Sequence, residues 1–183
     1  MDLPPGEWTP LLVGDQWPSS ISLETVLKAA AARREMASTY EHYADLLTTI
    51  KESNIAPQEG TTAEDLRGEF NRSIANARHI ANVNRVKSTS YLAVDRTVSE
   101  LRSKLTSLAE DGNSRIDAVN TSKKPLPVKV AEILAILTET RAQALVAAGC
   151  CAGEISGAIR DTCLLYTSPS PRDRTRPRMP SSA

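Results

Sequence analysis

The class of fold follows from residues 91–119, which read YLAVDRTVSELRSKLTSLAEDGNSRIDAV. Apolar or small residues recur in this stretch at intervals of three and four, at Tyr91, Val94, Val98, Leu101, Leu105, Leu108, Gly112, Ile116 and Val119. This spacing places them on one face of an α-helix. The stretch therefore predicts a helix with a continuous apolar seam, which needs a packing partner along its length.

We expect the same helix to extend in both directions from this seam. Thr61 and Glu64 form a capping box at its start, and Pro125 and Pro127 end it. A polar patch at residues 82–90 and the turn-forming triplet at 111–113 allow a break, but we favour continuity. An unbroken helix would hold about 60 residues and span about 90 Å at 1.5 Å per residue.

Two further helices are predicted, from Ser22 to about Ser53 and from Val128 to about Arg160. The predicted fold class is therefore all-α, with elongated helical hairpins built from helices of about 30, 60 and 30 residues. If the polar patch breaks the middle helix, the alternative is an up-down four-helix bundle. In either arrangement residues 22–161 form the helical domain.

Residues 1–21 form a lead segment rich in tryptophan and proline. Four prolines and two glycines within the first 18 residues argue against a long helix or an uninterrupted strand. We expect an extended segment that lies against the helices, because Trp8 and Trp17 would otherwise expose large apolar rings to water.

Residues 162–183 are predicted to be a disordered tail that is not native to the protein. The string from Cys163 to Asp173, CLLYTSPSPRD, resembles a translated sequencing-library adapter, and residues 178–183 resemble the adapter's outer end. The tail has no helical or strand periodicity. We therefore expect the natural protein to continue beyond Asp161. Residues translated from an adapter carry no information about the native fold.

Charge and hydropathy exclude several classes of partner. The formal net charge is +0, and the tail carries four arginines against one aspartate, so the body is mildly acidic and does not suit nucleic acid. The N-terminus lacks the basic and apolar regions of a signal peptide. Charged residues at Glu132, Glu139 and Arg141 argue against a transmembrane segment in the apolar run 130–152.

No catalytic, cofactor-binding or metal-binding residues are predicted. The two histidines, His42 and His79, lie on different predicted helices, and Glu41 and Asp45 beside His42 are expected to be solvated. No phosphate-binding loop, dinucleotide motif or nucleophile elbow is present. Cys150 and Cys151 are adjacent, a spacing that suits neither a metal site nor an intramolecular disulfide.

Three features together resemble actinobacterial substrates of the ESX (type VII) secretion system, in the broad WXG superfamily. They are the long antiparallel helices without a signal peptide, the Trp-Pro pair at residues 17–18, and Tyr91-Leu92-Ala93-Val94-Asp95. The last string is similar to that system's Tyr-x-x-x-Asp/Glu export signal, which implies a secretion role for Tyr91 and Asp95. The Trp-x-Gly turn of the superfamily is absent, since residues 54–60 hold no tryptophan.

The resemblance implies a helical partner-binding domain, secreted or in the cell envelope, that delivers a longer effector or toxin. Its partner would be a helical protein, a secretion chaperone or a second copy. The alternative is a cytoplasmic coiled-coil adaptor or assembly protein. The seam that we expect to meet the partner comprises Val94, Val98, Leu101, Leu105 and Leu108.

Overall fold

A computed structural model describes residues 3–18 and 21–167, with residues 21, 22, 161 and 163–167 described in their backbone only. The chain is all-α, as predicted, and these residues contain no strand. The helices are α1 (Thr9–Val13), α2 (Ile21–Ile50), α3 (Thr61–Thr121) and α4 (Leu126–Thr167). A 3₁₀ turn (Gly14–Gln16) follows α1, and a π-helical turn (Lys51–Ile55) follows α2.

Helix α3 runs unbroken through both positions where the sequence allowed a break. Its 61 residues match the predicted length, so the four-helix alternative, which needed a break at the polar patch, does not form. The helix begins one residue after Gly60, whose φ of +103° suits the reversal from α2. The amide of Glu64 donates to the Gly60 carbonyl at 3.1 Å, which closes the first helical turn.

Helix α4 is longer than predicted at both ends. It begins at Leu126 because Pro127 lies in the first turn, where a helix does not need that amide as a donor. It ends at Thr167, so residues 162–167 are helical although the sequence predicted a disordered tail there. Backbone hydrogen bonding continues the helix through these residues. The remaining tail, residues 168–183, lies outside the described part.

The chain forms two compact units. The first unit comprises Met1–Leu27 and Leu92–Ala158. Within it α3 and α4 run antiparallel. The Thr97 hydroxyl donates a hydrogen bond to Glu154, and Arg115, farther along α3, donates one to Glu139, which comes earlier along α4. The core consists of buried apolar residues from α3, α4 and the lead segment: Leu12, Val13, Val98, Leu101, Leu105, Ala109, Ile116, Ile136, Ala144, Ala147 and Cys151.

The lead segment is not extended as predicted, since it contains α1 and the 3₁₀ turn. The helix forms because Pro10 lies in its first turn, where the fixed φ of proline is already helical. Leu12 and Val13 on α1 are only 1% and 2% exposed. This short helix therefore belongs to the core of the first unit.

The second unit comprises Lys28–Tyr91 and, among the described residues, 159–167. Within it α2 and α3 are antiparallel. Arg33, near the start of α2, donates a hydrogen bond to Asn84, and Lys51, just after the end of α2, donates one to Asn71, which comes earlier along α3. Its apolar cluster is small: Ala44, Ile74 and Ala77, with Tyr40 and Leu47 packed against them. Alanines at this contact let the two helix backbones approach closely.

Candidate functional site

The seam predicted to bind a partner is occupied within the chain. Val98, Leu101 and Leu105 are buried in the core of the first unit, and Val94 and Leu108 pack against that core. The covering residues come from α4 and the lead segment. The prediction of a free partner surface at these five positions is therefore wrong, because the chain supplies its own packing partner for the seam.

The lead segment is attached towards the C-terminal end of the α3 seam. Gly112 lies against Leu12, and a Cβ added at Gly112 would stand 2.8 Å from both δ-carbons of that leucine. The next residue, Asn113, accepts a hydrogen bond from the Trp8 amide and donates one to the Thr9 hydroxyl, both at 3.0 Å. Gly112 is therefore a close-packing point inside a helix.

Trp8 and Trp17 lie half-buried against the core of the first unit. The guanidinium of Arg102 stands 6.0 Å from the centre of the Trp17 ring, within range of a cation–π contact, and donates to the Pro18 carbonyl at 3.2 Å. Both indoles thus serve to hold the lead segment on the helices.

Tyr91 and Asp95, the residues that resemble an export signal, both lie on α3. They are four positions apart, so they follow one another on the same side of the helix, and both are half-buried. Their side chains therefore remain partly accessible to solvent. The motif is held in regular helical backbone.

The polar patch of α3 does not break the helix, and three of its residues are buried. Asn84, Lys87 and Ser88 are 4%, 7% and 5% exposed. The Ser88 hydroxyl donates to the Ala30 carbonyl of α2 at 2.8 Å, and Arg33 donates to the Asn84 amide oxygen at 3.2 Å. These bonds satisfy polar groups that would be costly to bury unpaired.

Both histidines are exposed in the described part of the chain. His42 and Asp45 are exposed on α2, and the neighbouring Glu41 pairs with Arg85. His79 is exposed on α3. Among the described residues, no group of three or more histidine, cysteine or acidic side chains could hold a metal ion.

The adjacent cysteines differ in their surroundings. Cys150 is exposed, whereas Cys151 is buried beside α3, with its sulfur 3.9 Å from the Thr97 carbonyl that it faces. Burial raises the pKa of the Cys151 thiol, and the charge of Glu154 contributes in the same direction. Cys151 is thus less acidic than an ordinary thiol, while Cys150 is exposed at the edge of the groove that α4 forms with Leu101 and Lys104 of α3.

An exposed apolar face runs along α4, opposite the face that packs on the core. The inner face carries the buried residues Ile136, Ala144 and Ala147. The exposed large residues on this helix are Leu126, Val128, Val130, Leu134, Leu145, Val146 and Ile159. The apolar spacing of the sequence does not separate the two faces, because Leu134 and Leu145 recur at the same three- and four-residue intervals as the inner residues.

The same helix is long and apolar enough to cross a membrane by length and composition alone. The segment Leu126–Arg160 contains a window of mean hydropathy 1.3, of which 17% is buried inside the protein. Core helices of soluble proteins meet the same criterion. The low buried share distinguishes α4 from such helices and marks its outer face as largely uncovered.

These features define an all-α protein in which long antiparallel helices present an uncovered apolar face. No protein-family model and no solved structure matches the chain. The chain is similar to the uncharacterized protein Rv2082 of Mycobacterium tuberculosis (strain ATCC 25618 / H37Rv), at 33% identity over 148 residues. The match covers 78% of this chain and 19% of that protein, so the chain spans about a fifth of its relative's length.

Proposed function

We propose that this chain is a helical protein-binding domain of a substrate of a type VII (ESX) secretion system. The exposed apolar face of α4 carries the partner-binding part of this proposal. Leu134, Leu145 and Val146 on that face are 57%, 60% and 66% exposed. Exposed apolar patches rimmed by polar residues mark interaction sites on soluble proteins. The partner class is a helical protein, a secretion chaperone or a second copy of the chain.

We further propose that the domain is the delivery module of a longer effector or toxin. The matched region makes up 19% of the mycobacterial relative, so in that protein the similar region belongs to a much longer chain. Mycobacterium is also an actinobacterial genus, in agreement with the origin that the resemblance implies. Any catalytic activity is assigned to sequence outside the present helical domain.

The export part of the proposal rests on Tyr91 and Asp95 and is tested by secretion. The chain is expressed in an actinobacterial host with an intact ESX system and in an isogenic host that lacks the system's ATPase. We expect the chain in the culture filtrate of the first host only. Tyr91→Ala and Asp95→Ala should each lower export at least tenfold, while Tyr43→Ala, at an exposed tyrosine of α2, leaves export unchanged.

Circular dichroism of each variant separates a lost signal from a lost fold. Export that persists without the ATPase, or that is unaffected by both substitutions, contradicts the secretion role. Export that falls only together with helix content shows that Tyr91 acts in packing. In either case the secretion part of the proposal is wrong.

The alternative function is a cytoplasmic coiled-coil adaptor or assembly protein. The observation that favours it is the half-burial of Tyr91 and Asp95 within α3, since residues that pack against neighbours need no second role. An adaptor would remain in the cytosol of both hosts and would still use the α4 face. Capture of a cytosolic partner that Leu145→Glu abolishes, without export, would support this alternative.

A further inference from the structure

We infer that the outer face of α4 pairs with the same face of a second copy of this chain, with the two helices antiparallel. The inference deepens the proposed partner-binding function and rests on it, because it names the partner. Three properties of α4 support this pairing: the spacing of its small and large residues, the placement of its charges, and the area that it offers.

The outer face has the seven-residue repeat of a helix that packs side by side with another helix. One set of positions carries small residues throughout, and a second set alternates small and larger residues. All eight residues are exposed: Ala135, Ala142, Gly149 and Ser156 in the first set, and Thr138, Leu145, Ala152 and Ile159 in the second.

Antiparallel pairing about a two-fold axis near residue 147 brings the two sets into register. Leu145 of one copy then meets Gly149 of the other, Ala142 meets Ala152, and Thr138 meets Ser156. A Cβ at Gly149 would have no heavy atom within 4 Å, so the space beside it is open to a leucine of the second copy. Large side chains thus face small ones, as close helix packing requires.

The same register pairs opposite charges at both ends of the contact. Glu132 and Arg160 flank the face on either side of residue 147. Their distances from that residue along the helix differ by less than one helical turn. Because both lie on α4, their separation of about 42 Å along the axis follows from the helix rise alone. Glu132, which also pairs with Lys124 of its own chain at 2.6 Å, then lies at the level of Arg160 of the other copy, whereas a parallel pair would place like charges at the same level.

The available area suits a reversible dimer. The face from residue 130 to residue 160 is about 45 Å long and about 10 Å wide, so two copies would bury about 900 Å². Specific, stable interfaces start at about 1,000 Å² in total, so this contact falls slightly below that range, in the class of weak and transient interfaces. Exposed Leu11 lies beside Arg141 and extends the apolar area at one edge. We therefore expect a dissociation constant on the order of micromolar.

The first test is sedimentation equilibrium of the full chain at a protein concentration roughly ten times the expected dissociation constant. The wild type should sediment at twice 19.8 kDa. Gly149→Leu should weaken association at least tenfold while preserving the helix, since glycine is a poor helix former and its side-chain space is open. Gly68→Leu, at an equally open glycine of α3, is the matched control and should remain dimeric.

The second test fixes the register by cross-linking with a short bis-maleimide in a Cys150→Ser, Cys163→Ser background. Val146→Cys lies next to the two-fold axis and should cross-link, whereas Ala135→Cys lies about 36 Å from its counterpart and should not. Cross-linking at both positions would indicate a parallel pair and overturn the proposed register. Charge reversal by Arg160→Glu should weaken the dimer, and adding Glu132→Arg should restore it.

A wild-type chain that stays monomeric in sedimentation overturns the dimer. Binding of that monomer to vesicles of phosphatidylcholine and phosphatidylglycerol would assign the face to lipid instead. The dimer and the proposed secretion role can fail independently of one another. A monomer that is exported in a Tyr91-dependent manner removes the dimer alone, whereas a dimer that is not exported removes the secretion role alone.

Discussion

The two units are held together by different kinds of packing. The first buries Leu12, Leu105 and Ile116 almost completely, and each such side chain contributes about 1.5–3 kcal/mol. The second has a core of alanines around Ile74 and, farther along α3, the buried polar residues Lys87 and Ser88. Both units use the same long helix α3. One helix can therefore be stabilised by bulk apolar burial in one unit and by close backbone approach with paired polar groups in another.

The largest expected effect tests the apolar core of the first unit. Leu105→Ala should lower the free energy of unfolding by about 3 kcal/mol, because the leucine is 0% exposed and leaves a cavity. Ile74→Ala in the second unit should cost about 2 kcal/mol, since fewer large neighbours surround it. Urea denaturation measures both values. Leu92→Ala, at an exposed leucine of α3, is the control and should change stability by less than about 0.5 kcal/mol.

Equal costs for the Leu105 and Ile74 substitutions would remove the contrast between the two cores. Residue-resolved hydrogen exchange adds a second readout. Leu105→Ala should first increase exchange in residues 92–158, whereas Ile74→Ala should first increase it in residues 28–91.

An intermediate effect tests the attachment of the lead segment in the first unit. Gly112→Ala should destabilise the protein by about 1 kcal/mol, because crowding against Leu12 outweighs the better helix propensity of alanine. In a Leu12→Ala background the same substitution should stabilise it by up to about 1 kcal/mol, since the crowding is gone. Thermal and urea denaturation of this double-mutant cycle test the change of sign. Gly68→Ala, at an open site, should stabilise in both backgrounds.

The smallest expected effect is a difference in pH dependence. Burial, with a contribution from Arg33, lowers the pKa of Lys87 in the second unit from its ordinary 10.5. The unfolded chain then binds more protons between the folded pKa and 10.5, so this residue makes stability rise with pH in that window. In the first unit the raised pKa of Cys151 makes stability fall as the pH rises above 9.0.

Urea midpoints from about pH 7 upward separate the two contributions by comparison of variants. Lys87→Met should reduce the rise that leads up to pH 10.5, and Cys151→Ala should reduce the fall above pH 9.0. Identical pH profiles for the wild type and the Lys87 variant would contradict the assignment of a buried ammonium. Identical pH profiles for the wild type and the Cys151 variant would contradict the assignment of a buried thiol.

The lengths and limits of the helices were largely predictable. The spacing of apolar residues predicted α3 through the Asp-Gly-Asn triplet, and the Thr61 boundary and the reversal before residue 126 followed from local chemistry. The candidate site was not predictable in the same way. Residues such as Val98 and Leu105 had the pattern of a partner seam, but the pattern does not distinguish a partner from another part of the chain.

The sequence by itself determined that this protein is all-α and that α3 is one long helix, because helix periodicity and end signals act over a few residues. Only the tertiary structure decided which apolar faces are covered. Helix α4 has apolar residues on two opposite faces, and contact with α3 and the lead segment buries the one that includes Ala144. The other face, with Leu145, stays exposed because no described element of the chain reaches it. The burial of a residue depends on which other elements pack against it, and that is a property of the whole fold.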